Sequence, residues 1–134
     1  MTYDWTDYLD ISKEIINTCS KKSSSLSRKE TLFRIAISRA YYAAFHKCHD
    51  YIKTYGVRLD TNGIHRDVID NIDKHIQSSE VKVAVDLDRA FTSRKKADYN
   101  DVFNGLEKEA AIMILRVQNI INAISARKVG SYKV

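Results

Sequence analysis

The densest basic cluster in the body of the chain is the run Arg94, Lys95 and Lys96, and Asp98 follows closely. Consecutive cations suit phosphate contact, which is one interpretation of the run. The other is a solvated helix end, because helix C-termini favour cations through the helix dipole. If the segment is helical, Asp98 shares a face with Arg94 and can form an ion pair with it. Such a pair would explain both residues structurally, and the sequence leaves these interpretations open.

A second polar stripe consists of Arg39, Tyr42, His46 and His49, which follow three-and-four spacing within an otherwise apolar segment. A helix would place all four on one face. A guanidinium in such a setting needs a partner. Either Arg39 pairs with a carboxylate, such as Asp98 or the Asp50 of a neighbouring copy of the chain, while Tyr42 supplies a buried hydroxyl, or the stripe faces a ligand. Two histidines alone do not make a metal site, and we expect neither a metal nor a cofactor.

The composition is that of a single globular domain built from helices. The 134 residues are 44% hydrophobic and 29% charged, an ordinary balance for one compact domain spanning 1–134. With no Pro and only four Gly, few points require the backbone to break, which favours long helices over a turn-rich sandwich or barrel. The formal net charge of +5 mildly favours an acidic partner such as nucleic acid, although plain surface solubility explains it equally well.

The cysteines and the apolar segments both indicate a reducing, aqueous environment. Cys19 and Cys48 are too few and too far apart for a disulfide framework or a four-ligand zinc site, so we expect buried, reduced thiols. No stretch has the apolar length of a membrane span, and the first residues do not resemble a signal peptide. The sequence therefore predicts a cytoplasmic protein without a membrane partner.

Apolar periodicity predicts the helices that position these side chains. Spacings of three and four predict a first helix, a long second helix, a short third helix and a last helix, which follows a cap at Asn100. The segment before Asn100 fits a helix, but the alternation from Val81 to Val85 also fits a short strand. We expect an all-α bundle of four to five helices with two long antiparallel helices. The first two helices are predicted at about 4–20 and 28–55, with a loop at 56–63 and a frayed basic tail from about 127. The apolar residues of the later segments span 64–76, 81–91 and 103–124.

Four segments stand in a recognisable order along the chain. They are Arg39-Ala40-Tyr41-Tyr42-Ala43-Ala44-Phe45, then His65, then Arg94-Lys95-Lys96-Ala97-Asp98-Tyr99, and finally the stretch from Glu107 to Ile114. In order and rough spacing they resemble the HEPN family, which is named for nucleotide binding in higher eukaryotes and prokaryotes. The resemblance covers about residues 28 to 125.

The resemblance implies a helical bundle that often forms a two-fold dimer, with a site lined by both protomers. Similar proteins include metal-independent endoribonucleases, toxins paired with small nucleotidyltransferases, effectors of phage defence, and non-catalytic members that bind nucleotide or RNA. The nuclease branch uses an Arg followed, after about four to six residues, by a His, so that histidine moves a proton while arginine stabilises phosphoryl charge. Arg94 matches the arginine, but Tyr99, Asn100 and Asp101 occupy the positions of the histidine. The acid–base half of the motif is therefore missing.

The preferred hypothesis is a homodimeric domain that binds RNA or a nucleotide and acts in a toxin–antitoxin or phage-defence system. Its partner would be a nucleotidyltransferase antitoxin or another defence protein. One alternative is a metal-independent endoribonuclease toxin, in which Arg94 is catalytic and His65, His46 or Asp98 replaces the missing histidine. Another is a non-catalytic adaptor bundle. The expected binding residues are Arg94, Lys95, Lys96, Arg39, Tyr42, Asp98 and Tyr99, and the catalytic pair of the nuclease alternative is Arg94 with His65.

Overall fold

A computed structural model describes residues 3–21, 26–76 and 82–127 of the chain. Within these residues the chain forms five helices and no strand, which confirms the all-α prediction. None of these helices is long and apolar enough to cross a membrane. The part of the basic tail beyond residue 127 lies outside the described residues. The helices are α1 (Asp7–Lys21), α2 (Leu26–Lys53), α3 (Ile64–His75), α4 (Val83–Tyr99) and α5 (Leu106–Ser125).

The centre of the bundle is α2, which contacts each of the other four helices. Its inward side is rich in alanine, which lets neighbouring helices approach closely, and it carries the fully buried Ile37 and Tyr41. The facing stripe of α5 includes Met113, Val117 and Ile120, all fully buried. Burial of each such side chain contributes roughly 1.5–3 kcal/mol. The prediction that the last helix is buried inside a bundle is confirmed.

The directions of the helices decide which residues of α4 meet α2. Arg34, near the start of α2, contacts the end of α4, and Tyr41 contacts Phe91 farther back, so α2 and α4 form an antiparallel pair of long helices. In contrast, α5 runs parallel to α2. The N-terminal parts of the two helices line one depression, and their C-terminal parts line another. The middle of α2 is thereby placed beside the basic run of α4.

The connection between α4 and α5 differs from the prediction. Asn100 does not cap the last helix: it ends α4, with an extended backbone (φ −88°, ψ 130°) and an N–H that donates to the Lys96 carbonyl at 3.0 Å. The following helix begins after Gly105, whose φ of 69° is left-handed. The physical reason is Arg34, whose guanidinium donates to carbonyl oxygens across residues 96–101 at 2.6 to 3.4 Å. This tertiary contact overrides the local capping signal.

Both cysteines are buried and free, as predicted. Cys19 lies in α1 and Cys48 lies in α2, where neither is open to solvent. Burial raises the pKa of the Cys48 thiol, which keeps it protonated at neutral pH. Both side chains therefore serve as small apolar residues of the core.

Candidate functional site

Arg94 and Asp98 form an ion pair on one face of α4, as the helical spacing predicts. Nε of Arg94 lies 2.8 Å from Oδ2 of Asp98, and the two side chains are 13% and 29% exposed. The buried Nε–H is nevertheless not aligned with an oxygen well enough to form a hydrogen bond. The pair is therefore held by charge, and it leaves part of the guanidinium's hydrogen-bonding capacity unused.

Two tyrosines complete the immediate surroundings of the Arg94 guanidinium. Its Nη2 donates to the Tyr42 hydroxyl at 2.8 Å, and its carbon lies 5.2 Å from the centre of the Tyr42 ring. Tyr99, the last residue of α4, is 72% exposed, yet its ring centre lies 5.7 Å from the same carbon. Both distances are within cation–π range. Arg94, Asp98, Tyr42 and Tyr99 thus lie together.

His65 reaches the same region from the first turn of α3. Its Nδ1 is hydrogen-bonded to the Tyr41 hydroxyl at 2.5 Å, and its ring stacks on Phe91 with centres 4.9 Å apart and planes 13° apart. The Tyr42 ring is 6.2 Å away. No hydrogen bond or ion pair recorded for the described residues joins His65 to Arg94 directly. The adjacent tyrosines of α2 therefore link the histidine to the arginine.

Electrostatics keep His65 neutral and Tyr41 protonated. Burial lowers the pKa of His65, and the nearby Arg94 and His46 lower it further. Burial also raises the pKa of Tyr41, with only a partial opposing effect from Arg94. The buried Tyr41 hydroxyl needs an acceptor, and Nδ1 of His65 is the acceptor within reach. We therefore assign the proton of the neutral imidazole to Nε2. His65 is therefore arranged to donate a hydrogen bond from Nε2.

The polar stripe of α2 does not act as one unit, because aromatic residues of the N-terminal segment cover part of it. Arg39 is exposed, and its guanidinium carbon lies 5.5 Å from the centre of the Tyr8 ring instead of pairing with Asp98. His46 stacks on Trp5 with ring centres 3.6 Å apart. Arg39 and Asp98 still line the same depression, which has a volume of about 260 Å³. Arg39 thus borders the site without forming part of its hydrogen-bond network.

The basic run of α4 diverges around the helix. The Nζ atom of Lys95 lies 4.4 Å from the centre of the Phe91 ring, which in turn stacks on His65. Lys96 is separated from Arg94 by about 200° around the helix axis. It lines a groove between α4 and α5 instead. The structure therefore brings Lys95 to the predicted site and does not bring Lys96 there.

Two members of the site were not anticipated from the sequence. Tyr41 and Phe91 connect His65 to the remaining residues, but aromatic residues at helical spacing are typical of a core, and Tyr41 is indeed fully buried. Their positions in the sequence could have identified them, since Phe91 precedes Arg94 by three residues and Tyr41 adjoins Tyr42. The constellation is termed the Arg94 cluster and consists of Arg94, Asp98, Tyr42, Tyr99, Tyr41, His65, Phe91 and Lys95.

The chemistry of the Arg94 cluster is cationic and aromatic. It offers a guanidinium, an ammonium group and an imidazole N–H, which are donors suited to phosphate oxygens. It also presents an exposed phenol ring on which a base can stack. Across the described ranges, no group of three or more His, Cys, Asp or Glu side chains is arranged to hold a metal ion.

The fold and the site define an all-helical domain with an arginine-centred cluster on its fourth helix. The family model of the HEPN domain matches residues 8–128, nearly the whole chain, and the protein therefore belongs to the HEPN family. The resemblance seen over about residues 28 to 125 is confirmed, and the match extends back into α1. No curated protein matches the chain closely enough to serve as a relative. Family membership supports a role related to nucleotides or RNA.

Proposed function

We propose that the protein binds RNA or a nucleotide through the Arg94 cluster. This proposal rests on the burial and the contacts of the Arg94 guanidinium. Its guanidinium is nearly buried, is fixed by Tyr42 and Asp98, and retains a buried Nε–H without a hydrogen bond. A guanidinium held in this way is preorganised for a phosphate, because little side-chain freedom is left to lose on binding.

Asp98 occupies a position that a phosphate can take. Its contact with Arg94 lacks an aligned hydrogen bond, and the bond that it accepts from Ser38 Oγ is long, at 3.4 Å. A phosphate can accept two parallel hydrogen bonds from one guanidinium, which is a stronger arrangement. Since Asp98 is 29% exposed, it can turn toward solvent when a ligand arrives. The ion pair is then the resting state of an anion site.

Tyr99 and Lys95 supply the other contacts that a nucleic acid requires. A base stacked on an aromatic side chain contributes about 1–3 kcal/mol, and the Tyr99 ring is open to solvent beside Arg94. The exposed Lys95 adds a second cation on the same side of α4. Single-stranded RNA offers splayed bases and phosphates together, which matches this combination.

Binding is better supported than cleavage. A general base needs an unprotonated nitrogen within reach of the 2′-hydroxyl, whereas Nδ1 of His65 is occupied by the Tyr41 hydroxyl and Nε2 is assigned the proton. Residues 99–101 provide tyrosine, asparagine and aspartate where the nuclease branch has its histidine. In the proposed complex, the Nε2–H of His65 donates to a phosphate oxygen without transferring its proton.

We further propose that the domain acts as a homodimer. The support from this chain is the exposed apolar side chain of Val102, which follows α4 and is 71% exposed. Covering such side chains with a second copy is favourable by about 25 cal/mol per Å² of apolar surface. A nucleotidyltransferase antitoxin or another phage-defence protein as partner is proposed from the family resemblance alone.

The decisive variant is Arg94→Ala, compared with the parent by titration with a mixed pool of single-stranded RNA at several salt concentrations. We expect binding to weaken by roughly tenfold to hundredfold, as for loss of a charge-assisted hydrogen bond. The slope of log affinity against log salt should also fall by about one. Lys13→Ala is the matched control, because it removes one positive charge from α1, which has no contact with α4 among the described helices.

Unchanged affinity of Arg94→Ala at every salt concentration would exclude the Arg94 cluster as the binding site. Circular dichroism of each variant separates loss of binding from loss of fold. Cleavage is checked with the same proteins, since RNA incubated at high protein concentration with a chelator should stay intact. If the parent cleaves RNA and Arg94→Ala does not, the Arg94 cluster is a catalytic site and not only a binding site.

A further inference from the structure

A groove between α4 and α5 lies on a side of α4 that the Arg94 cluster does not use. Its volume is about 470 Å³, and residues from both helices and from the connection between them form its walls. It is termed the α4–α5 groove, and it combines positive charge with apolar side chains. Its cations are Arg89, Lys96, Lys108 and Arg116, and its apolar residues are Phe103 and Ile112.

The cations of the α4–α5 groove outnumber its carboxylates, and those carboxylates are already engaged. Oδ1 of Asp88 lies 2.9 Å from Nη2 of Arg66, and Oε2 of Glu109 lies 3.2 Å from Nη1 of Arg116. The exposed cations of the groove that form no ion pair with any residue that the structure describes are Arg89, Lys96 and Lys108. The groove therefore retains positive charge for an acidic occupant.

On the α5 wall of the groove, an apolar side chain stands between two cations. Lys108, Ile112 and Arg116 are spaced by four residues, so they form a row along one face of the helix. Ile112 is 37% exposed, and Leu115, one turn farther on, is 68% exposed. These aliphatic side chains suit contact with another protein, while the two carboxylates in the walls disfavour a polyanionic nucleic acid.

The outward face of α1 has the opposite charge pattern. Asp7, Ile11 and Glu14 follow spacings of four and three, which places the isoleucine between two carboxylates. Asp10 flanks them, and all four side chains are exposed. None of the three carboxylates forms an ion pair within the described residues. These four residues are termed the α1 face.

We propose that the α1 face of one copy of the protein packs into the α4–α5 groove of another copy. Ile11 then contacts Ile112, and the carboxylates on either side of Ile11 meet the cations on either side of Ile112. A helix that lays an apolar residue into a groove in this way is a common mode of protein recognition. The chain itself thus supplies an occupant that matches the groove in charge and in its apolar centre.

This contact is head-to-tail, and it differs from the two-fold dimer proposed above. Among the described helices, α1 contacts α2 and α5 but not α4. On α1, the α1 face points away from the buried Leu9, Ser12 and Cys19. A copy that inserts its α1 face into a neighbour therefore keeps its own groove free. Such contacts continue from copy to copy or close into a ring, so they produce assemblies larger than a dimer.

Sedimentation velocity of the full chain over a range of concentrations at low salt tests the proposal. We expect species larger than a dimer to increase with concentration and to disappear at high salt. Charge reversal in the groove, by Lys96→Glu/Lys108→Glu, should raise the concentration needed for these species by at least about tenfold. Charge reversal on the α1 face, by Asp7→Lys/Glu14→Lys, should do the same.

An equimolar mixture of the two charge-reversed variants is the strictest test. Each α1 face then meets a groove of opposite charge on the other variant, so the larger species should form again. Overall attraction between the variants cannot explain such recovery. The parent has a formal net charge of +5, and each variant changes it by four units, which leaves both net positive.

Two further variants separate this contact from general effects of charge. Lys53→Glu/Lys74→Glu makes the same charge change as the groove variant, at exposed positions outside both surfaces, and should assemble as the parent does. Ile11→Ser changes no charge, and Ile11 is already 46% exposed in the fold. It should weaken assembly by roughly threefold to tenfold and leave the circular dichroism spectrum unchanged.

The absence of species larger than a dimer, either in the parent at every concentration or in the equimolar mixture, would overturn the proposal. Assembly of the α1-face variant equal to that of the parent would also overturn it and leave the groove to another occupant. Larger species that form only with the RNA pool would assign the groove to RNA. Arg94→Ala should assemble as the parent does, which distinguishes failure of this contact from failure of the Arg94 cluster.

Discussion

The two sides of α4 carry neighbouring cations in different physical states. Arg94 is nearly buried, paired with Asp98 and bound to Tyr42. Lys96, two residues later, is exposed and lines a groove on the other side of the helix. Since successive residues turn by about 100°, a basic run on a helix presents several surfaces. Charges that are consecutive in the sequence therefore serve different sites.

The buried arginine and the exposed lysines also differ in how much side-chain freedom they lose when a ligand binds. Arg94 is ordered when the protein folds, so it can select a ligand by the geometry of its paired hydrogen bonds. Lys96 and Lys108 are exposed and must lose side-chain freedom on binding, at a cost of up to about 2 kcal/mol each. The Arg94 cluster should therefore discriminate by shape, whereas exposed lysines such as Lys96 and Lys108 should respond mainly to ligand charge and to salt.

The largest effect should come from releasing the end of α4, which lies beside the Arg94 cluster. Arg34→Ala removes the donor to carbonyl oxygens across residues 96–101. We expect the free energy of unfolding to fall by about 2–3 kcal/mol, because several charge-assisted hydrogen bonds are lost together. Urea denaturation measures this loss. RNA binding should weaken as well, since Arg34 fixes the end of α4 that carries Tyr99.

Arg34→Lys provides the control for that experiment. It keeps the charge and most of the length but loses the planar fork of donors, so its stability should fall between those of the parent and Arg34→Ala. Equal stability of the parent and Arg34→Ala would show that the carbonyls are satisfied equally well by water. In that event, Arg34 would not be the reason that α4 ends at Asn100.

A smaller effect should come from removing one carboxylate on each side of α4. Asp98→Asn frees Arg94 from a competing charge and should tighten RNA binding by about threefold at low salt. Asp88→Asn makes the same charge change beside the groove between α4 and α5 and should alter RNA affinity by less than about twofold. Both affinities are measured with the RNA pool used for Arg94→Ala. Weaker RNA binding by Asp98→Asn would identify Asp98 as a support that holds Arg94 in place.

The sequence predicted those features that depend on local spacing. The first three helices and the last follow from apolar periodicity, and the Arg94–Asp98 contact follows from residues four apart on a helix. Long-range contacts could not be read in this way. Arg34 reaches the end of α4 from another helix, and it overrides the capping signal at Asn100.

The candidate site shows the same division between local and tertiary information. The family resemblance indicated His65 and Arg94 as partners, but only the fold shows that Tyr41 occupies the Nδ1 atom of His65. Closeness in sequence groups Lys96 with Arg94, although the groove that Lys96 lines is formed with α5. The groove between α4 and α5 could not be predicted, because its cations come from segments that only the helix packing brings together.

The smallest predicted effect concerns pH, and it tests the neutral state of His65. Burial, Arg94 and His46 lower the pKa of His65 in the folded protein, so the unfolded chain binds its proton more readily. The resulting stability is fully present above the ordinary value of 6.5 and is lost as the pH falls below it toward the lower folded pKa. Burial lowers the pKa of His46 too, so it contributes with the same sign.

We therefore expect the urea midpoint of the parent to fall between about pH 7.5 and about pH 5.5, and to fall less in His65→Gln. His46→Gln serves as the comparison, since it should remove a separate part of the same pH dependence and leave the Tyr41–His65 bond intact. A decrease in His65→Gln as large as in the parent would mean that the fold does not lower the pKa of His65. At acidic pH a protonated His65 would then add a second positive charge beside Arg94, and the distinction between the two sides of α4 would rest on charge as well as on order.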